Sequence, residues 1–170
     1  METRLVSIAS IVLTMLALAG ADTPSSIAKS PSWEKLKLLS GVWIGTTKEG
    51  GKPQPATVSF KLISDGSAIM STLEEGTPHE MVTMFHEDGN ELLATHYCAA
   101  HNQPRMQAVA NADPNRIVFK FKDGTNIGPN DGHMVQLAIV IDGSNHHLEE
   151  WTYEDHGKQE TSVFDFRRKN

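Results

Sequence analysis

The chain of 170 residues carries 15 Lys and Arg against 21 Asp and Glu, a net charge of -6, with 39% apolar, 21% charged and 6% aromatic residues. That is the length of one domain, too apolar for a disordered chain and too mixed for a multi-spanning membrane protein. The acidic balance, with no basic cluster longer than Arg167-Arg168-Lys169, argues against a nucleic-acid partner, and a single cysteine, Cys98, excludes an intramolecular disulfide and any multi-cysteine zinc site.

The first 21 residues read as a secretory signal peptide. Met1-Glu2-Thr3-Arg4 is a short head with one cation, Leu5 to Leu18 is almost wholly apolar, and Ala17-Leu18-Ala19 or Ala19-Gly20-Ala21 supplies small residues for cleavage. The apolar run is short for a membrane span, which needs about 20 residues, and an uncleaved N-terminal anchor is the alternative. Cutting after Ala21 removes Glu2 and Arg4 together and leaves the net charge at -6. The expectation is therefore an exported, periplasmic or extracellular protein with no transmembrane span after cleavage.

Residues 22–30 are small, polar and unpatterned, a flexible leader. Ser30-Pro31 then forms a helix N-cap with Pro at the first helical position, and Trp33, Leu36 and Leu39 fall at spacings of three before Gly41. Beyond Gly41 the period changes to two. Ten short strands follow: Val42 to Lys48, Val58 to Ile63, Ala68 to Leu73, Met81 to His86, Glu91 to Cys98, Arg105 to Ala110, Ile117 to Lys122, His133 to Ile141, His146 to Tyr153 and Glu160 to Arg168. Turn clusters such as Ser64-Asp65-Gly66, Glu87-Asp88-Gly89-Asn90 and Asp142-Gly143-Ser144-Asn145 separate them, with one longer loop at Thr125 to Gly132.

Links this short rule out parallel crossovers, which need a dozen or more residues, and make sequence neighbours spatial neighbours. The predicted fold is an all-β, antiparallel up-and-down barrel of about ten strands, capped at one end by the short N-terminal helix, over residues 31–170. Closure removes the exposed edges that ten curled strands otherwise leave, and a barrel larger than about eight strands has interior room for a ligand. An open two-sheet sandwich is the alternative.

Gly41-Val42-Trp43-Ile44-Gly45, directly after a short helix, resembles the first-strand signature of the calycin superfamily, which groups lipocalins, fatty-acid-binding proteins and nitrobindin-like barrels. The resemblance implies that Trp43 closes the barrel base against a basic residue of the last strand. Arg167 matches that position, with Arg168 as the second register. The stretch Thr95 to Met106 and the later Glu150-Trp151-Thr152 also resemble an uncharacterised family of secreted bacterial proteins with such a barrel, which implies no activity. Among calycins the nitrobindin-like barrels imply haem held by a histidine on a strand near the C-terminus. Glu160 to Arg168 contains none and His156 sits in a turn, so no cofactor is required and haem is not expected.

Candidate site residues follow from strand alternation. His96 and Cys98 leave one face of their strand beside Leu92 and Ala94, which points that face inward. A thiol and an imidazole on one strand can begin a metal site or a nucleophile–base pair, with Glu150, His133 or His86 as a third ligand; a buried Cys and a satisfied interior His is the plainer alternative. Arg105, near Asn102 and Gln103 at a rim, can clamp an anionic head group or pair with a surface acid. On the strand from His146, Glu149, Trp151 and Tyr153 share one face with His147, while Glu150 and Thr152 share the other. At least one of Glu149 and Glu150 is expected to be exposed, and the sequence does not choose.

The leading expectation is an exported barrel, monomeric or weakly dimeric, that binds a small apolar or amphipathic molecule in its lumen. His96, Cys98, Arg105, His133, Glu150 and Trp151 are its candidate ligand-binding residues. The alternatives are a metal- or thiol-dependent enzyme centred on His96 and Cys98, with Glu150 completing a metal set, and a filled barrel that serves as a structural or interaction module.

Overall fold

Ser30 caps helix α1 (Pro31–Lys37) as predicted: its hydroxyl accepts the Trp33 backbone N–H at 3.1 Å. A computed structural model describes residues 30–49 and 52–169; the segment read as a signal peptide and nearly all of the leader lie outside the described residues. The helix is tied to the barrel by the Ser30 N–H, which donates to Glu87 at 2.6 Å, and it buries Trp33 and Leu36.

Ten strands follow: β1 (Gly41–Glu49), β2 (Lys52–Ile63), β3 (Ala68–Leu73), β4 (Met81–Asp88), β5 (Glu91–Tyr97), β6 (Gln103–Val109), β7 (Arg116–Thr125), β8 (His133–Ile141), β9 (His146–Asp155) and β10 (Lys158–Arg168). Each pairs antiparallel with its sequence neighbour, and β1 pairs with β10 from Trp43↔Arg168 to Thr47↔Phe164, so the sheet closes and the sandwich alternative falls. Gly45 permits that seam: a Cβ there would collide with the Asp165 backbone carbonyl.

Strand β2 begins six residues before the alternation at Val58, despite Pro53 and Pro55. The reason is local: β3 pairs with β2 only from Val58 to Ile63, so the proline-bearing half has a neighbour on one side alone and needs fewer donors. On β7 the ladder runs past Asp123-Gly124 to Thr125, through a bulge in which the register slips between Arg105 and Met106.

The helix end of the barrel is filled. Trp33, Leu36 and Leu39 lie over Trp43, and Phe60, Ile69, Phe85, Phe119, Ile139 and Phe166 complete the same buried cluster. At about 25 cal/mol per Å2 of apolar surface, this packing is the main favourable contribution to the fold. The base of the barrel carries one correction. Arg168, not Arg167, covers Trp43, with its guanidinium carbon 4.2 Å from the ring centroid, because Arg168 is the direct ladder partner of Trp43 while Arg167 falls opposite Ile44 on the exposed face.

Candidate functional site: a buried polar run opening on the barrel mouth

Alternation along β4, β5 and β9 brings one set of polar side chains inside. Thr83 stands opposite His96 across β4 and β5, and its hydroxyl lies 2.9 Å from His96 Nδ1. The His96 ring meets Trp151 from β9, centroids 4.6 Å apart. The Trp151 indole N–H donates to Glu149 Oε2 at 2.9 Å, and Glu149 Oε1 lies 3.2 Å from His147 Nε2. His147 in turn meets Trp43 edge-on at 4.4 Å and stacks on Phe166 at 5.1 Å. The run therefore crosses the interior from one wall to the other and ends in the aromatic base.

Two features set its electrostatics. Glu149 is 2% exposed, and among the described residues no Lys or Arg is buried, so its carboxyl group rests on the Trp151 N–H and the His147 ring and not on a fixed cation. His96 is 1% exposed, and its burial lowers the imidazole pKa from 6.5 to about 4, which keeps the ring neutral near pH 7. Among the described residues His96 Nε2, Asn102 Oδ1 and His147 Nδ1 are buried without a hydrogen-bond partner. Orphaned polar atoms of this kind cost about 1–3 kcal/mol each and are uncommon in native interiors.

The open end of the barrel is walled by β1, β2, β3, β4 and β10. A cup of about 380 Å3 is lined by Thr47, Gln54, Leu73, Met81, Ser162 and Phe164, with Lys48, Glu74, His79 and Glu160 at its rim. Met81 pairs with Leu73, and Thr83, the partner of His96, lies one inward-facing step deeper on the same strand. The Cys98 N–H donates to the Asn102 carbonyl at 3.1 Å, closing the hairpin next to this wall. The Asn102 amide donates to the Gly132 carbonyl at 2.9 Å and so straps the loop before β8 across the mouth. Gly132 is needed there, since a Cβ would strike the Tyr153 ring. Tyr153 has its pKa raised, first by burial and then by Cys98, Asp155 and Asp131.

Of the candidates read from the sequence, the structure brings His96 and Trp151 into contact and leaves Cys98 half-buried at the same end. His133 is half-buried, its ring tilted against Phe121 at 4.6 Å, with Nδ1 3.0 Å from the Asp131 carbonyl. Two others face away from the lumen. Glu150 is on the outer wall, where Arg116 grips both carboxylate oxygens and lowers the carboxyl pKa. Arg105 is a β6 residue, not a rim-loop residue, and its guanidinium is forked onto Asp123 at 2.7 and 2.6 Å. Glu150 therefore does not join His96 and Cys98 in a metal set, and no group of three or more His, Cys, Asp or Glu among the described residues is placed to hold a metal. The acid inside is Glu149.

Thr83 went unread, although it alternates with Met81 and Phe85 and period-two reading reaches it. The inward turn of Asn102 has no sequence signal, because it depends on the hairpin and on the loop it straps.

No protein-family model matches the chain, and no curated protein does. Among solved structures it is similar to the crystal structure of Rv2717c from M. tuberculosis, at 16% identity and a TM-score of 0.56, over 83% of this chain and 99% of that one. This likeness shows the fold alone. A redesigned beta barrel is 14% identical with a TM-score of 0.38, over 79% of this chain and 95% of that one, too distant to carry an argument.

Proposed function

We propose that the protein is an exported, calycin-like barrel that binds a small, mostly apolar molecule through its open mouth, with His96 as the interior polar anchor. The observation that carries this reading is the cup at the open end, with Pro55, Leu73, Met81 and Phe164 in its lining; Met81 shares β4 with Thr83, the partner of the buried His96. A pocket of this volume suits a small ligand with both apolar and polar groups, since Leu73, Met81 and Phe164 share its lining with Thr47, Gln54 and Ser162, and Met81 can adapt its shape to admit one. Trp43 under Arg168 supports the calycin likeness, and the apolar run of residues 5–18 supports export.

Packing confines the ligand to the open half, because Trp43, Phe60, Phe85, Phe119 and Phe166 fill the other. That same filling favours the second reading, a ligand-free structural or interaction module. Native mass spectrometry of the mature chain from its own export compartment, with a metal analysis, separates the two. A small molecule that leaves on denaturation supports the binding barrel, and Cys98→Ser then retains it. A clean apo mass overturns the binding reading in favour of the filled module. A stoichiometric metal, or loss of an activity in Cys98→Ser, moves the case to an enzyme centred on His96 and Cys98.

A further inference from the structure

The outer wall of the barrel carries a second place where side chains converge. Outward-facing residues of three neighbouring strands stand in register there: Thr95 and Tyr97 on β5, Gln103 and Arg105 on β6, Asp123 and Thr125 on β7. Thr95 is the ladder partner of Arg105, Arg105 of Asp123, and Gln103 of Thr125. All six line one groove of about 640 Å3, on strands that take no part in the cup.

The β-bulge builds this groove. Met106 stands opposite Phe121, so an unbroken ladder would set Lys122 opposite Arg105; the slip between Arg105 and Met106 sets Asp123 there instead. Asp123 then takes the guanidinium in a fork, from Nε at 2.7 Å and from Nη2 at 2.6 Å, which leaves Nη1 without a partner among the described residues. Gln103 is fixed as well. Its Oε1 accepts from the Thr125 hydroxyl at 2.7 Å and from Asn126 Nδ2 at 3.1 Å, so its Nε2 keeps two unused donors among the described residues. Beside these held polar groups Tyr97 is 51% exposed.

The lining excludes most occupants. Arg105 and Asp123 cancel in charge, so the groove has no net attraction for an anion. One aromatic ring among polar groups is poor ground for a wholly apolar molecule. The sheet is closed, so no peptide can add as a further strand. A sugar ring fits. Its C–H face packs on an aromatic ring, and its adjacent hydroxyls both donate and accept, which matches an oriented amide and a guanidinium–carboxylate fork.

We propose that this outer groove binds a neutral glycan, one pyranose stacked on Tyr97 with its hydroxyls on Gln103, Arg105 and Asp123. The site is independent of the lumen reading and stands or falls without it. Maltohexaose, cellohexaose, mannohexaose and chitohexaose, titrated into the mature chain at pH 7 and followed by amide NMR, test it, with hexagalacturonate as the charged control. At least one neutral hexamer should shift the Tyr97, Gln103 and Arg105 amides saturably, with a Kd at or below about 1 mM. Tyr97→Ala should weaken that binding about ten-fold, and Tyr97→Phe far less, since the ring remains. Asp123→Asn should weaken it about ten-fold as well and tighten hexagalacturonate, because the Arg105 charge is then uncancelled. Both side chains lie on the exposed wall, where substitution leaves the fold in place.

The proposal is overturned if no neutral hexamer binds, if binding survives Tyr97→Ala, or if hexagalacturonate binds the unaltered chain as tightly as the neutral sugars. Shifts confined to Leu73, Met81 and Phe164 overturn it too, and place the sugar in the cup.

Discussion

Arg168 lies over Trp43, its guanidinium carbon 4.2 Å from the ring centroid, while its nitrogens donate to the backbone carbonyls of Leu38, Ser40 and Ser144 at 2.7–2.9 Å. Trp43 itself donates from its indole to the Leu39 carbonyl at 2.7 Å. One residue of the last strand and one of the first thus hold the carbonyls of Leu38, Leu39 and Ser40, the three residues that lead from α1 into β1. Gly41, at φ +129°, keeps this approach open: a Cβ there would lie 2.9 Å from the Arg168 guanidinium.

Arg168→Ala should therefore destabilise the fold by about 2 kcal/mol, the sum of partly solvated charge-assisted hydrogen bonds and a cation–π contact. Arg168→Lys should recover little of it, because an ammonium lacks the planar fork. Arg167→Ala, on the exposed face, should change stability by less than about 0.5 kcal/mol. Urea unfolding of the three variants checks the order, and equal effects at the two arginines would remove the clamp from the account.

The interior histidine gives the stability a pH dependence. Burial holds the His96 pKa at about 4 against 6.5 for the free side chain, so between those values the unfolded chain binds the extra proton. Stability from this residue is intact above about 6.5, declines as the pH falls, and reaches its full loss below about 4. The expected difference is about 3 kcal/mol. Urea unfolding at pH 7 and pH 4 should show a loss that shrinks by this amount in His96→Phe. A wild-type loss unchanged in the variant would assign the acid sensitivity elsewhere.

Glu149 and Glu150 are adjacent in sequence and opposite in environment. Glu149 is buried against Trp151 and His147, and Glu150 sits with its side chain 25% exposed beside Arg116. Glu149→Ala should cost about 3–5 kcal/mol, because it leaves the Trp151 and His147 ring nitrogens unpaired in the core. Glu149→Gln, which keeps an acceptor for Trp151, should cost less. Glu150→Ala should cost about 1 kcal/mol or less, as for a partly exposed pair. Comparable losses at both positions would contradict the inward turn of Glu149.

This pair also marks where the sequence becomes legible and where it does not. Ten strands, their order and the capping helix follow from turn residues, period-two alternation and Ser30-Pro31, all of which are local signals. Which face of β9 turns inward is not local. His146, Leu148, Glu150 and Thr152 form one set and His147, Glu149, Trp151 and Tyr153 the other, and each mixes polar with apolar residues. The choice is made across strands, where Trp151 meets His96 and Glu150 meets Arg116. The register of Arg168 on Trp43 is settled in the same way, by a ladder that joins the two ends of the chain.

Gly45 tests whether that ladder holds the barrel shut. Its missing Cβ lets β1 approach the Asp165 carbonyl on β10 more closely than any side chain permits. Gly45→Ala must push the two strands apart at the middle of a seam that runs from Trp43↔Arg168 to Thr47↔Phe164. The expected loss is about 2–4 kcal/mol, as for a buried steric insertion. Its signature in hydrogen exchange is faster opening of amides along the β1–β10 ladder, with the β4–β5 ladder around Thr83 and His96 protected as before. Uniform loss of protection around all ten strands would mean that closure at this seam and the rest of the barrel open as one unit.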